Sequence, residues 1–210
     1  MPLRALPEAN TPCLARIELG LYRLGDGERL PVYGADGQQA GTSVEVAELR
    51  LLPAHAAPAD GSALASLGGS FDLLNVKLKQ LEPAGEMSAC DTNAVAPGHP
   101  AVSVALTWRC LRETSADYTV FVHCVGADGG IWAQHDSQPR NGDYPTSAWQ
   151  EGQAVEDEHV LDLQGLPPGR YDVRVGMYAL DTLARLPVVD ASGLRLQGDY
   201  AVVSEFVIEP

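Results

Sequence analysis

From Asp117 to Val188 the chain reads DYTVFVHCVGADGGIWAQHDSQPRNGDYPTSAWQEGQAVEDEHVLDLQGLPPGRYDVRVGMYALDTLARLPV. Short apolar or alternating runs are separated here by Ala127-Asp128-Gly129-Gly130, Asn141-Gly142-Asp143 and Pro167-Pro168-Gly169. Gly and Asn accept the left-handed backbone of tight turns and Pro presets φ, so this punctuation predicts successive antiparallel strands. Working outward, Leu74, Val76 and Leu78 alternate with polar residues in Phe71 to Gln80. Ala101 to Cys110 places Val102, Val104, Leu106, Trp108 and Cys110 on one face and Ser103, Thr107 and Arg109 on the other. Such alternation marks a strand with one buried side. Tyr118 to Val125 and Ile131 to His135 form a hairpin about Asp128-Gly129-Gly130, which on a symmetric turn sets His123 opposite His135. Further strands are expected near Glu158 to Leu163, Tyr171 to Leu180, Arg185 to Val189 and Val202 to Ile208. Strands this short and evenly punctuated predict an all-β protein, an antiparallel β-sandwich of immunoglobulin-like type.

Composition narrows the function classes. The 210 residues carry 28 acidic against 14 basic side chains, a formal net charge of -14. That surface repels phosphate backbones and anionic membranes, so neither nucleic acid nor membrane insertion is expected. No apolar run approaches the ~20 residues of a spanning helix. The opening MPLRALPEANTPCLARIELG lacks a signal-peptide core. Cys110 and Cys124 fall in apolar strands and read as buried free thiols, while Cys13 and Cys90 fall in loop-like stretches whose pairing is open.

The chain also repeats itself. Ile17 to Leu52 aligns without a gap on Val173 to Ile208, with Gly20, Tyr22, Leu24 and Gly37 matching Gly176, Tyr178, Leu180 and Gly193. Arg29-Leu30-Pro31-Val32 recurs as Arg185-Leu186-Pro187-Val188. The second copy follows many further strands and the first does not. Residues 1–52 are therefore read as the last strands of a partial sandwich and 71–210 as a complete one. Between them 53–70, rich in Ala, Pro, Gly and Ser, reads as a linker that allows a short helix at Ser62 to Leu67.

For function, the loop Asp136 to Gly152 (DSQPRNGDYPTSAWQEG) stands out by its length without strand character. It gathers Trp149, Tyr144, Arg140, Asn141, Asp143 and Thr146. Aromatic faces that stack on sugar rings, with amides and carboxylates for hydroxyls, are the make-up of a carbohydrate site; the same aromatics also suit a core plug. His123, His135 and His159 are weighed as a zinc set, but their spacing matches no ligand pattern and hydrogen-bonded structural roles are expected. Asp136, Asp143, Glu156, Asp157 and Glu158 offer oxygen ligands without the order of a calcium loop and read as solvated carboxylates. No metal, cofactor or catalytic constellation is expected, and a small hydrolase is the weakest reading.

Several phrases carry a family resemblance: Tyr118-Thr119-Val120-Phe121-Val122-His123, Ala127-Asp128-Gly129, Gln134-His135-Asp136 and Tyr144-Pro145-Thr146-Ser147. Trp149, Gly152, Leu166-Pro167-Pro168-Gly169, Tyr171, Gly176 and Tyr178 complete it. Residues 71–210 resemble the C-terminal extracytoplasmic β-sandwich module of bacterial (Chloroflexi-type) membrane glycosyltransferase-like proteins of the dolichyl-phosphate-mannose mannosyltransferase type. The resemblance implies a non-catalytic, extracytoplasmic accessory domain; together with the aromatic and polar make-up of the loop, it sets the expectation of binding to carbohydrate or a cell-envelope partner through residues 136–152. The long Glu82 to Pro100 loop departs from that module. The alternative is an architectural spacer or assembly module that forms oligomers through 1–52.

Overall fold

Alternation becomes paired strands in the computed structural model, which describes residues 13–51, 61–81 and 99–209. The chain divides into two units, Met1–Ala54 and His55–Pro210. In the first, β1 (Cys13–Leu19) pairs antiparallel with β4 (Val44–Leu51), and β2 (Val32–Tyr33) with β3 (Gln39–Gly41). A bulge interrupts the β1–β4 register at Ile17/Glu18.

The second unit holds β5 (Ala65–Leu67), β6 (Phe71–Leu81), β7 (Ala101–Cys110), β8 (Tyr118–Gly126) and β9 (Ile131–Ser137). It continues with β10 (Ala154–Asp162), β11 (Gly169–Ala179), β12 (Val188–Asp190) and β13 (Ala201–Ile208). They form a five-stranded sheet, β10-β7-β6-β5-β12, and a four-stranded sheet, β13-β11-β8-β9, antiparallel throughout. The two are packed as a sandwich, the all-β architecture that the turn punctuation predicts. Leu73, Val104, Leu106, Trp108, Val155 and Leu161 of one sheet and Val120, Val122, Val173, Val175 and Met177 of the other are at most 1% exposed. Burial of such side chains, each stabilising by about 1.5–3 kcal/mol, holds the two layers together. Among the described residues no helix is long and apolar enough to cross a membrane.

Four local expectations need correction or completion. Ala65–Leu67, read as linker with a short helix, is a strand whose Ala65 and Leu67 are each 1% exposed. It pairs with β6 and with β12, so main-chain bonding overrides the helix propensity of its Ala and Leu. β10 begins at Ala154 instead of near Glu158, because two of its inward positions are the polar Asp157 and His159 and hide the alternation. His123 lies opposite Gln134, and His135 opposite Val122. A bulge at Cys124/Val125 shifts the hairpin by one residue and sends the two histidines to opposite faces. Cys110 and Cys124 are buried free thiols and Cys13 is also free; Cys90 and most of the Glu82 to Pro100 loop lie outside the described residues. Burial pushes the Cys124 thiol up to about 11, helped by the Asp172 charge, which makes it a poor nucleophile.

Gly176 on β11 fixes the close approach beneath Phe121. A Cβ there would lie 2.4 Å from Phe121 Cζ and 2.9 Å from the Asp199 carbonyl oxygen. The Arg185 guanidinium caps the same ring, 4.5 Å from its centroid. Gly176→Ala is therefore expected to cost about 1–3 kcal/mol by overpacking. Urea unfolding followed by circular dichroism reads this as a lowered midpoint, and an unchanged midpoint would contradict the packing described.

Candidate functional site

The loop between β9 and β10 divides into a buried half and a rim. Tyr144, Thr146 and Trp149 are each 0% exposed. Trp149 meets Phe71 of β6 edge-on with ring centroids 5.4 Å apart, and Phe71 meets Tyr118 of β8 at 5.8 Å. One aromatic cluster thus closes this end of the sandwich and touches both sheets. Its polar atoms are satisfied internally. Trp149 Nε1 donates to the Tyr144 carbonyl at 3.0 Å, and the Tyr144 hydroxyl lies 3.0 Å from both Gln153 Oε1 and the Ala148 carbonyl oxygen. Thr146 Oγ1 donates to the Ala116 carbonyl and accepts from Tyr118 N, both at 2.9 Å. These three candidates are core, the plug that their residue types also suited, and they have no free face for a sugar ring.

Arg140, Asn141 and Asp143 lie on the outer side of the loop. Asn141 and Asp143 are exposed and Arg140 is half-buried. They line a groove of about 430 Å³ together with Lys77, Thr107, Glu156 and Glu158. Strand register explains this company. Thr107 pairs with Glu156 and with Asn75, and Ala105 pairs with Glu158 and with Lys77, so small side chains on β7 form the floor between taller ones on β6 and β10. The sequence showed Thr107 on the polar face of its strand, but not that Lys77 and the two glutamates would flank it. Only the strand order supplies that. A second cleft of about 520 Å³, lined by Leu78, Val102, Leu166 and Phe206, is mostly apolar and holds none of the sequence-predicted residues.

The rim is held in an unusual conformation. Arg140 and Asn141, in the short 3-10 segment Pro139–Gly142, have φ of 56° and 55°, the left-handed region that non-glycine residues seldom adopt. The Arg140 backbone N–H donates to Asp157 Oδ1 at 2.8 Å. Asp157 Oδ2 in turn accepts from His159 Nε2 at 2.9 Å, both side chains being wholly buried. With its proton on Nε2, His159 leaves Nδ1 to accept from His135 Nδ1, 2.8 Å away. The relay joins the rim to β10 and then to β9, the adjacent edges of the two sheets. His123 stands apart and bonds Asp136 at 3.0 Å. The three histidines are therefore hydrogen-bonded in place, and Asp157 is no solvated carboxylate. No cluster of three or more His, Cys, Asp or Glu side chains is arranged to hold a metal ion among the described residues.

Two outcomes follow from this division. Trp149→Ala is expected to lose about 3–5 kcal/mol of stability, the range for deleting a large buried aromatic, measured by denaturant unfolding; a loss under about 1 kcal/mol, the scale of a surface change, would contradict its place in the core. The second concerns pH. Desolvation and the neighbouring His159 hold the His135 pKa below its ordinary 6.5, against the opposing pull of Asp157 and Asp136. Below 6.5 the unfolded chain binds this proton more readily than the folded one, so stability rises with pH through that window and is lost as pH falls. His135→Asn keeps a donor near the Nδ1 position without the titration. It should flatten the fall of Tm below pH 6.5, read by calorimetry, whereas an unaltered slope would remove His135 from the account.

No protein-family model matches the chain, and no curated protein matches it. Among solved structures, the crystal structure of the C-terminal domain of wzt matches at 10% identity over 70% of this chain and 91% of that one, with a TM-score of 0.41. The X-ray structure of Northeast Structural Genomics Consortium target SoR45 matches at 17% identity over 69% and 90% of the two chains, with a TM-score of 0.29. These are weak likenesses of fold and carry neither a family nor an activity.

Proposed function

We propose that the second unit is a non-catalytic, extracytoplasmic binding module whose groove beside β7 takes a carbohydrate. The observation that carries this reading is the polar rim of Arg140, Asn141 and Asp143, the first two held in a left-handed conformation, over a sheet face of Lys77, Thr107, Glu156 and Glu158. Left-handed non-glycine residues cost about 1–3 kcal/mol each and persist where surrounding structure over-determines them, often at ligand clamps. Cation, amide, hydroxyl and carboxylate groups converge on one concave surface. A hydroxyl-rich ligand both donates and accepts, and a mixed set of this kind satisfies it. Arg140 Nε adds a donor that is buried without a hydrogen-bond partner among the described residues. Recognition here is by hydrogen bonds along a sheet face, since the aromatic rings of the loop serve the core.

A glycan and polysaccharide panel tests the reading, with wild type beside Asp143→Ala, Asn141→Ala and Thr107→Val. Each variant should weaken binding about tenfold, the equivalent of ~1.4 kcal/mol and of one good hydrogen bond, with the circular dichroism of the folded protein retained. No binding anywhere in the panel, or binding indifferent to all three substitutions, would refute the assignment.

A further inference from the structure

The two units contain the same closing strands in different surroundings. Leu30 N donates to the Leu21 carbonyl and Leu186 N to the Met177 carbonyl, both at 2.8 Å. Tyr22 bridges Arg29 as Tyr178 bridges Arg185. β1 pairs with β4 as β11 pairs with β13, and a bulge falls at Ile17/Glu18 in one and at Val173/Arg174 in the other. In both, the extra residue sits on the outer strand, Val46 on β4 and Val203 on β13, so β1 and β11 stay regular.

What differs is the other edge. β11 has β8 along it, with Val173 opposite Cys124 and Val175 opposite Val122. Among the described residues β1 pairs with β4 alone. The side chains report the same difference: Val173, Val175 and Met177 are 0–1% exposed, whereas Ile17, Leu19 and Leu21 are 36%, 65% and 68% exposed. A regular, unpaired strand edge beside an apolar stripe is a template for strand addition.

The charges of β1 choose the partner. We infer that this edge is covered by a second copy of itself, β1 against β1 in antiparallel register about a two-fold axis at Ile17, giving a dimer through the first unit. That register sets Arg16 opposite Glu18 of the partner subunit, twice by symmetry, and Ala15 opposite Leu19 of the partner subunit. The nearest registers that keep the apolar stripe on one face are centred on Arg16 or on Glu18, and each sets like charges against each other. A shift by a single residue moves apolar side chains to the charged face. Opposite charges directly across an antiparallel pair are favourable and like charges unfavourable, so the sequence Arg16-Ile17-Glu18 selects one self-pairing.

Sedimentation velocity on the full chain from micromolar to millimolar concentration tests this. Wild type should show a dimer that dissociates on dilution. Arg16→Glu and Glu18→Arg should each abolish the faster boundary, and the double exchange should restore it. Within its own chain Arg16 lies 3.6 Å from Glu48 and Glu18 accepts from Ser43 at 2.8 Å, both exposed. The double variant loses these contacts as well, so its recovery separates self-pairing from local damage. In a Cys13→Ser background Ile17→Cys should form a disulfide-linked dimer under mild oxidation, because residues at the two-fold lie about 4.5–5.5 Å apart in Cα. A wild-type monomer at every concentration, or a dimer that both single reversals leave intact, overturns the inference; the monomer would hand the edge to a strand of a different polypeptide.

Discussion

The Asp157 carboxylate, wholly removed from solvent, accepts from the Arg140 backbone N–H and from His159 Nε2. A buried carboxylate without such donors is strongly destabilising, so the rim and the histidine are required by the fold as much as they are placed by it. The dependence is mutual. Arg140 and Asn141 occupy a backbone region that non-glycine residues seldom adopt, and the bond from Arg140 N to Asp157, followed along the loop by the Tyr144–Trp149 plug, holds them there. The loop is thereby built as an extension of the sandwich. Its first half presents polar groups, and its second half fills the end of the core.

The strands were legible where one face is apolar. Val104, Leu106, Trp108 and Cys110 announce β7 and lie inside as their spacing requires. The first half of β10 was obscure because Asp157 and His159 occupy inward positions, and a polar residue in a strand ordinarily signals the solvent face. Their partners are separated from them in sequence: Arg140 lies 17 residues before Asp157, and His135 lies 24 before His159. Local pattern carries no trace of such pairs. A one-residue bulge in the β8–β9 hairpin was equally invisible, and it reverses the face on which His135 points.

For the candidate site, the sequence singled out a segment and not the division within it. Tyr144, Thr146 and Trp149 share residue types with sugar-binding surfaces, and only their complete burial, with Trp149 against Phe71 and Thr146 bonded to the Tyr118 backbone, shows them to be core. Arg140, Asn141 and Asp143 were picked out with them and do line a groove. Lys77 and Thr107 joined through strand order, which a single sequence does not encode locally. The first unit shows the converse case. There the apolar pattern of β1 matches that of β11, yet the same periodicity produces a buried strand in one unit and an exposed edge in the other. Periodicity states which side chains seek cover; topology decides whether they find it.

Amide hydrogen exchange at Arg140, followed by NMR, tests the central dependence most directly. If Asp157 holds the rim, this loop amide exchanges as slowly as the amides of β10, and Asp157→Ala accelerates it far more than it accelerates those of β11 and β8. An Arg140 amide that exchanges at the rate of an open loop in the wild-type protein would show that the rim is not held by the buried carboxylate.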